Sequence, residues 1–282
     1  MPRHAWLIIT HNEFDILQRL VTALDAPFCD IYIHFDKKVR QLPKIRTHQS
    51  RLHILKNRVD VRWGSVSQIR CEFALFQAAA ANGPYNYYHI ISGTTLPLKP
   101  IDEIDRFFAK WKGLNILSGL SKDAPYQENL KIHRYNLFLS NYASRYPLLK
   151  AVSQFLWKSA IAVQRTLGLE INRSKEYFKA SNWLSLTEDS IQYLLSRETD
   201  IFRTYRFTFC GDEYFVPTEL SDSALKDKLF CYNKYLKVEM GDANPRILQN
   251  ADYEELASCD CLFARKFSSD HLEIVDRIIR SL

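Results

Sequence analysis

Glycine is scarce in this chain, and the glycine-built phosphate signatures are missing with it. Eight glycines and ten prolines punctuate 282 residues. They form no G-x-G-x-x-G fingerprint, Walker loop or G-x-S-x-G elbow, and no H-E-x-x-H occurs. These absences exclude the standard dinucleotide and P-loop nucleotide sites, the α/β-hydrolase nucleophile and the zinc-protease helix. The six cysteines do not form a pattern either. Only Cys259 and Cys261 are close, as C-x-C without a second pair, so neither a zinc site nor a disulfide framework is indicated and a reducing compartment is expected. Long apolar runs are absent too. The first ten residues, MPRHAWLIIT, hold only a brief one, too short for a signal peptide core or a membrane span. Lys and Arg are scattered and no KH loop or RNP signature appears, so nucleic acid is not an expected partner.

What is present is apolar and aromatic. Apolar residues make up 46% of the chain, with 17 Phe, 15 Tyr and 5 Trp, enough for a sizeable core. The net charge of +6 suits anionic small molecules, phosphorylated donors or an acidic membrane surface.

Strands and helices alternate through the first 120 residues. Residues 5–10, 30–35, 52–55, 87–92 and 114–117 read as strands. Between them, Leu17, Leu20, Val21 and Leu24, then Val66, Ile69, Phe73, Phe76 and Ala80, recur at helical spacing. Asn12 or Asp15 is expected to cap the first helix. The pattern predicts an α/β fold with a twisted, mostly parallel sheet flanked by helices. Ligands of such sheets bind outside the carboxyl ends of the strands, which directs attention to the loop after Ser92-Gly93.

The segment 121–178 has few strand signals and many basic and aromatic residues. Within it, 147–167 reads as an amphipathic helix, either packed on the core or lying on a membrane surface. Alternation resumes with a strand at 182–186, a helix over 187–197 and a strand near 206–209. A last helix is expected to open on the pair Asp270 and Glu273. No repeat or linker breaks the chain, so one domain is expected.

Chemistry concentrates in a few places. Asp212 and Glu213 follow a glycine, and one of them can face a cleft as a general base. Otherwise they only offset a helix dipole. Arg246, Arg265 and Lys266 are either solvated edge charges or a cationic clamp for a diphosphate. His11 and Asp36 end early strands and can flank one crevice. Trp63 can stack on a sugar or a base, or simply pack. No D-x-D triplet occupies the loop after Ser92, where a metal-dependent nucleotide-sugar transferase would carry one.

Taken in order, WLIITH (6–11), IYIHFD (31–36), VRWGS (61–65), YYHIISGTTLPLKP (87–100), ASNWLSLT (180–187), GDEYF (211–215) and LFARKF (262–267) resemble the core-2/I-branching N-acetylglucosaminyltransferase and xylosyltransferase family. The resemblance spans nearly the whole chain. It implies a GT-A-type, Rossmann-like glycosyltransferase fold over 1–282, with a nucleotide-binding half (1–120) and an acceptor and catalytic half (121–282). It implies inverting transfer of a GlcNAc or xylose-like sugar from a UDP-sugar to a glycan hydroxyl, without metal or other cofactor.

Glu213 falls at the family's base. His11, Asp36, Arg246 and Lys266 fall at its UDP contacts. Trp63, Thr95, Lys131, Arg134, Trp183 and Asp212 are candidates for donor-sugar or acceptor contact. Thr95 stands where the family has an aspartate, and the 121–135 segment lacks its acceptor-binding basic pattern, so a different acceptor is expected. Lacking the anchor and cysteine framework of animal members, the chain reads as a bacterial relative in surface-polysaccharide synthesis. It would be cytoplasmic, peripheral at the inner membrane face, with a glycan acceptor that a lipid can carry. The alternative is a catalytically silent module that binds a nucleotide sugar or glycan.

Overall fold

The β-branched and aromatic runs nearest the amino terminus form the centre of the molecule. A computed structural model describes residues 4–241 and 244–282. In β1 (His4–Thr10), after which α1 (Phe14–Ala23) follows, and in β2 (Cys29–Phe35) every residue is buried. Next come β3 (Arg51–Ile54), α2 (Ser67–Ala80) and the wholly buried β4 (Tyr87–Ser92). Then follow β5 (Leu96–Pro97), α3 (Ile101–Lys110), β6 (Asn115–Leu117), α4 (Pro125–Lys131) and the long α5 (Pro147–Thr166). The rest comprises β7 (Leu184–Leu186), α6 (Glu188–Ser196), α7 (Glu198–Tyr205), α8 (Phe215–Ser221), β8 (Leu229–Cys231), β9 (Leu236–Val238), α9 (Tyr253–Ser258), β10 (Phe263–Arg265) and α10 (Leu272–Ser281).

The main sheet has seven strands in the order β3-β2-β1-β4-β7-β6-β8. All neighbours pair in parallel except β7, which runs against both β4 and β6. Helices flank it, as the alternation predicts; α2 packs against β1, β2 and β4. Strands of both halves of the chain share this sheet. A second sheet, β5-β10-β9, ties the loop after β4 to the carboxyl-terminal segment.

Buried polar groups require partners, and the sheet interior supplies a continuous chain of them. Asp105 Oδ1 contacts His4 Nε2 at 3.0 Å, and His4 Nδ1 contacts His89 Nε2 at 2.8 Å. His89 Nδ1 then meets Ser185 Oγ at 2.7 Å, and Ser185 Oγ meets Tyr235 Oη at 3.0 Å.

Three local expectations are corrected. Residues 206–209 form no strand but a turn after α7. Phe207 O accepts from Asn136 N, Phe209 N donates to Lys131 O and Cys210 N to Gly64 O, each at 2.8 Å, so separate loops take the backbone groups a ladder would need. Neither Asn12 nor Asp15 caps α1. The cap position is Glu13, at φ 56°, and its carboxylate reaches away to Ser269 N (2.5 Å) and Ser268 Oγ (3.2 Å). The carboxyl-terminal turn is capped by Ser268, which accepts from Asp270 N, while Glu273 accepts from Asn250 Nδ2 at 2.7 Å.

Candidate active site

The sheet changes direction between β1 and β4. From β1 the chain moves to β2 and β3 on one side, and β4 lies on the other, which opens a crevice at the carboxyl ends of β1 and β4. Gly93 sits at that point. A Cβ there would lie 2.6 Å from Thr10 Oγ1, so only glycine lets the two strand ends approach this closely. Beyond it, Thr95 is buried, and its hydroxyl reaches Ser92 Oγ, which also meets Thr94 Oγ1 at 2.8 Å. Where the sequence resemblance leads one to expect a carboxylate, a self-satisfied hydroxyl cluster stands. Phe267 N donates to Thr94 O at 3.1 Å, which fastens this loop to the Lys266 segment.

One side of the crevice gathers His11, Asp36 and Lys266. His11 is exposed, yet the surrounding protein desolvates it enough to lower its pKa, against the charge of Asp36 and with the help of Lys266 and Lys38. Asp36 is buried at the end of β2. Its carboxylate accepts from Lys38 N (2.8 Å), Lys38 Nζ (2.8 Å) and Val61 N (3.2 Å). Lys38 Nζ also bridges to Asp60 at 3.0 Å. Lys266 forms no ion pair among the described residues.

Arg265 is the second cation here. Its guanidinium lies 5.0 Å from the Trp183 ring, its Nε is buried without a partner, and it too has no ion pair among the described residues. Burial lowers its pKa to about 10. Trp183 immediately precedes β7, whose Leu184 pairs with Ile90 of β4, so this cation–π pair stands at the same carboxyl edge.

Across the crevice, the 3-10 turn Gly211–Glu213 carries the paired carboxylates. Its environment separates them. Asp212 turns inward, accepting from Asn182 Nδ2 at 3.3 Å, and burial, then the charge of Glu213, raise its pKa to about 7. Behind it lies the fully buried Glu72 of α2, raised well above the carboxylate range by burial and then by Asp212; its Oε1 has no partner. Glu213 opens outward. Its Oε2 lies 3.2 Å from Lys179 Nζ, and that ammonium also stands 3.8 Å from Asp123 Oδ1. Burial works to lower the Lys179 pKa, but Glu213 and Asp123 outweigh it. Asp123 in turn accepts from Lys131 Nζ (2.9 Å) and from the Tyr214 hydroxyl. Two adjacent carboxylates held in unlike environments are the arrangement that separates an open base from a proton-retaining neighbour.

Trp63 stands half exposed beside this turn, stacked on Tyr142 at 5.8 Å and edge-on to Phe209 at 5.3 Å. The other sequence candidates are already engaged. Lys131 is held by Asp123. Arg134 is buried at the junction of α4 and α5, bonded to Asn129 Oδ1 (3.1 Å), Leu169 O (2.5 Å) and Glu170 (2.9 Å). Arg246 forms a two-pronged pair with Asp252, 2.8 Å on each arm, although Leu248 N two residues on bonds Lys266 O.

Reasoning from sequence misses Lys179, Asp123 and Lys38 as parts of the site. Lys179 directly precedes the 180–187 block, the only signal that could have found it. A separate hollow of about 440 Å³, lined by Asp30, Arg51, Gly83 and others, opens at the opposite, amino-terminal edge of the sheet. No helix of the described residues is long and apolar enough to cross a membrane.

The chain is similar to several known proteins. The mouse (Mus musculus) N-acetyllactosaminide beta-1,6-N-acetylglucosaminyl-transferase is 22% identical over 288 aligned positions, covering 93% of this chain and 68% of its own length. Among solved structures, apo mouse xyloside xylosyltransferase 1 superposes with a TM-score of 0.40 at 10% identity, over 94% of this chain and 97% of its own. The galactosyltransferase LgtC, solved with donor and acceptor sugar analogues, gives 0.40 at 8% identity, over 98% and 96% of the two chains. The profile of the Core-2/I-Branching enzyme family matches residues 4–239, most of the chain. The chain belongs to that family and is a glycosyltransferase that draws its sugar from a nucleotide sugar.

Proposed function

We propose that the protein moves a GlcNAc or xylose-like sugar from a UDP-sugar to a glycan hydroxyl with inversion and without a metal ion, in bacterial surface-polysaccharide synthesis. The observation that carries the reading is the pair of cations without carboxylate partners, Arg265 and Lys266, at the edge where His11 and Asp36 also stand. A partly buried guanidinium whose Nε has no partner is costly. A diphosphate seated beside it would offset that cost and receive charge-assisted hydrogen bonds.

In the proposed reaction the Glu213 carboxylate takes the proton of the acceptor hydroxyl. The freed oxygen attacks the anomeric carbon on the face opposite UDP, and the bond from that carbon to the diphosphate oxygen breaks. Negative charge grows on the diphosphate, where Lys266 and Arg265 are preorganised to stabilise it. Lys179 holds the Glu213 carboxylate in place until the acceptor displaces it, and Asp212 keeps a proton beside the base below about pH 7. His11 and Asp36 hold the uridine. Since Lys131 and Arg134 are engaged in the framework, acceptor recognition falls to the Trp63 and Tyr142 rings, which suit the apolar face of a sugar.

Glu213→Gln is expected to cut turnover by at least about 100-fold while calorimetry shows UDP binding unchanged. Near-wild-type turnover in this variant would sink the assignment. Turnover should also persist in excess EDTA; loss that magnesium or manganese restores would overturn the metal-free claim.

A further inference from the structure

Helix α5 is buried along one narrow stripe, Ser153, Trp157, Ile161 and Gln164, half of it polar. At about 100° per residue, Leu148, Val152, Phe155 and Val163 fall on the opposite side, facing solvent. Leu148 is 75% exposed and Phe155 68%. Twelve of the eighteen large apolar side chains that stand exposed among the described residues lie between 135 and 169. Soluble surfaces rarely gather so many in one patch unless something covers it.

Charge identifies the cover. The 41 residues 129–169 contain six Lys or Arg and no Asp or Glu. Lys131 and Arg134 are paired inward, which leaves Arg145, Lys150, Lys158 and Arg165 outward with no ion pair among the described residues. Lys158 and Arg165 fall on the flank between the buried stripe and the apolar face, where long cationic side chains can reach a charged interface, while the exposed Lys150 lies in the first turn, in line with the stripe. A second copy of the chain would bring more cations and no carboxylate to this face. An anionic lipid surface supplies both apolar depth and negative charge.

We propose that the outer face of α5 docks on an anionic phospholipid bilayer. The inner stripe shows where docking leads. Trp157 lies 5.7 Å from Phe209, two residues before the Gly211–Glu213 turn, so the docked helix holds the turn near the lipid surface. That an acceptor glycan carried on a lipid would meet Glu213 there rests on the transfer reading; the docking does not.

The test is flotation of the full chain with vesicles of phosphatidylcholine alone or with added phosphatidylglycerol, at low and high salt. Binding is expected to the anionic vesicles and to weaken with salt. Leu148→Glu/Phe155→Glu and, separately, Lys158→Glu/Arg165→Glu should each lower it about tenfold or more. The thermal shift produced by UDP, which reports the crevice independently, should not change. No binding to either vesicle, or equal binding by the variants, overturns the proposal. So does a wild-type dimer in light scattering that Leu148→Glu/Phe155→Glu converts to monomer without any vesicle binding, since the cover would then be a second copy.

Discussion

Arg246 and Arg265 differ in what already holds them, and that difference predicts which one serves the donor. Arg246 is half exposed and gripped on both arms by Asp252. An anion could recruit it only by breaking a good bidentate pair. Among the described residues Arg265 has only the Trp183 ring, and its Nε is buried without a partner. Arg265→Ala is therefore expected to lower kcat/KM about 100–1000-fold, the usual effect of removing one preorganised electrostatic group, and to weaken UDP in calorimetry. Arg246→Ala should stay within about tenfold of wild type. The reverse order would return the donor role to Arg246. Sequence reasoning favours Arg246 because alignment sees position, not pairing. It also has no reason to aim Arg265 and Lys266 at one edge, since neighbours on a strand point apart. β10 ends at Arg265, so that rule lapses at Lys266.

The elements that lead into Glu213 are held by packing rather than by regular structure. Gly64 has φ 73°, and a Cβ added there would lie 2.5 Å from Phe209 Cε2, in the segment that ends at the Gly211–Glu213 turn. Gly113 has φ 89° with open space around it, and so isolates backbone strain from displacement. Both Ala substitutions should destabilise by about 1–2 kcal/mol through the left-handed backbone. Only Gly64→Ala should also lower kcat, about tenfold, because Phe209 must move and Gly211 follows it. Equal kcat in the two variants would show that the turn does not depend on this contact. The same region marks the limit of sequence reading. β1, β2, β4 and the start of α3 are legible because burial on both faces and helical periodicity are strong local signals. Residues 206–209 are aromatic like a strand, yet the Phe209 ring serves a satellite cluster with Leu139, Trp157 and Ile161, which no local pattern encodes. In α5 the apolar positions mark the solvent side, so periodicity finds the helix but not its orientation.

At the scale of the whole molecule, buried histidines govern acid stability. Burial lowers the pKa of His34 to about 4, depresses His53, and holds His89 well below its ordinary 6.5. His34 Nε2 accepts from Val59 N at 2.8 Å, a bond that a protonated ring cannot make. Between pH 6.5 and about 4 the unfolded chain binds the His34 proton and the folded chain does not, so stability falls as pH falls through that window, and His53 and His89 act in the same direction. A tenfold change in proton affinity corresponds to about 1.4 kcal/mol, so His34 alone contributes roughly 3 kcal/mol at neutral pH. Asp212 acts in the opposite sense. Its pKa is raised to about 7, so between its ordinary 3.8 and 7 the folded chain holds the extra proton and stability falls as pH rises; Glu72 behaves likewise. The histidines outnumber these carboxyls. The urea midpoint is therefore expected to drop between pH 6.5 and 4.5, with His34→Gln reducing the slope and Asp212→Asn steepening it. A midpoint that is flat or rises on acidification would mean that the carboxyl pair, not the histidines, sets the acid response of the fold.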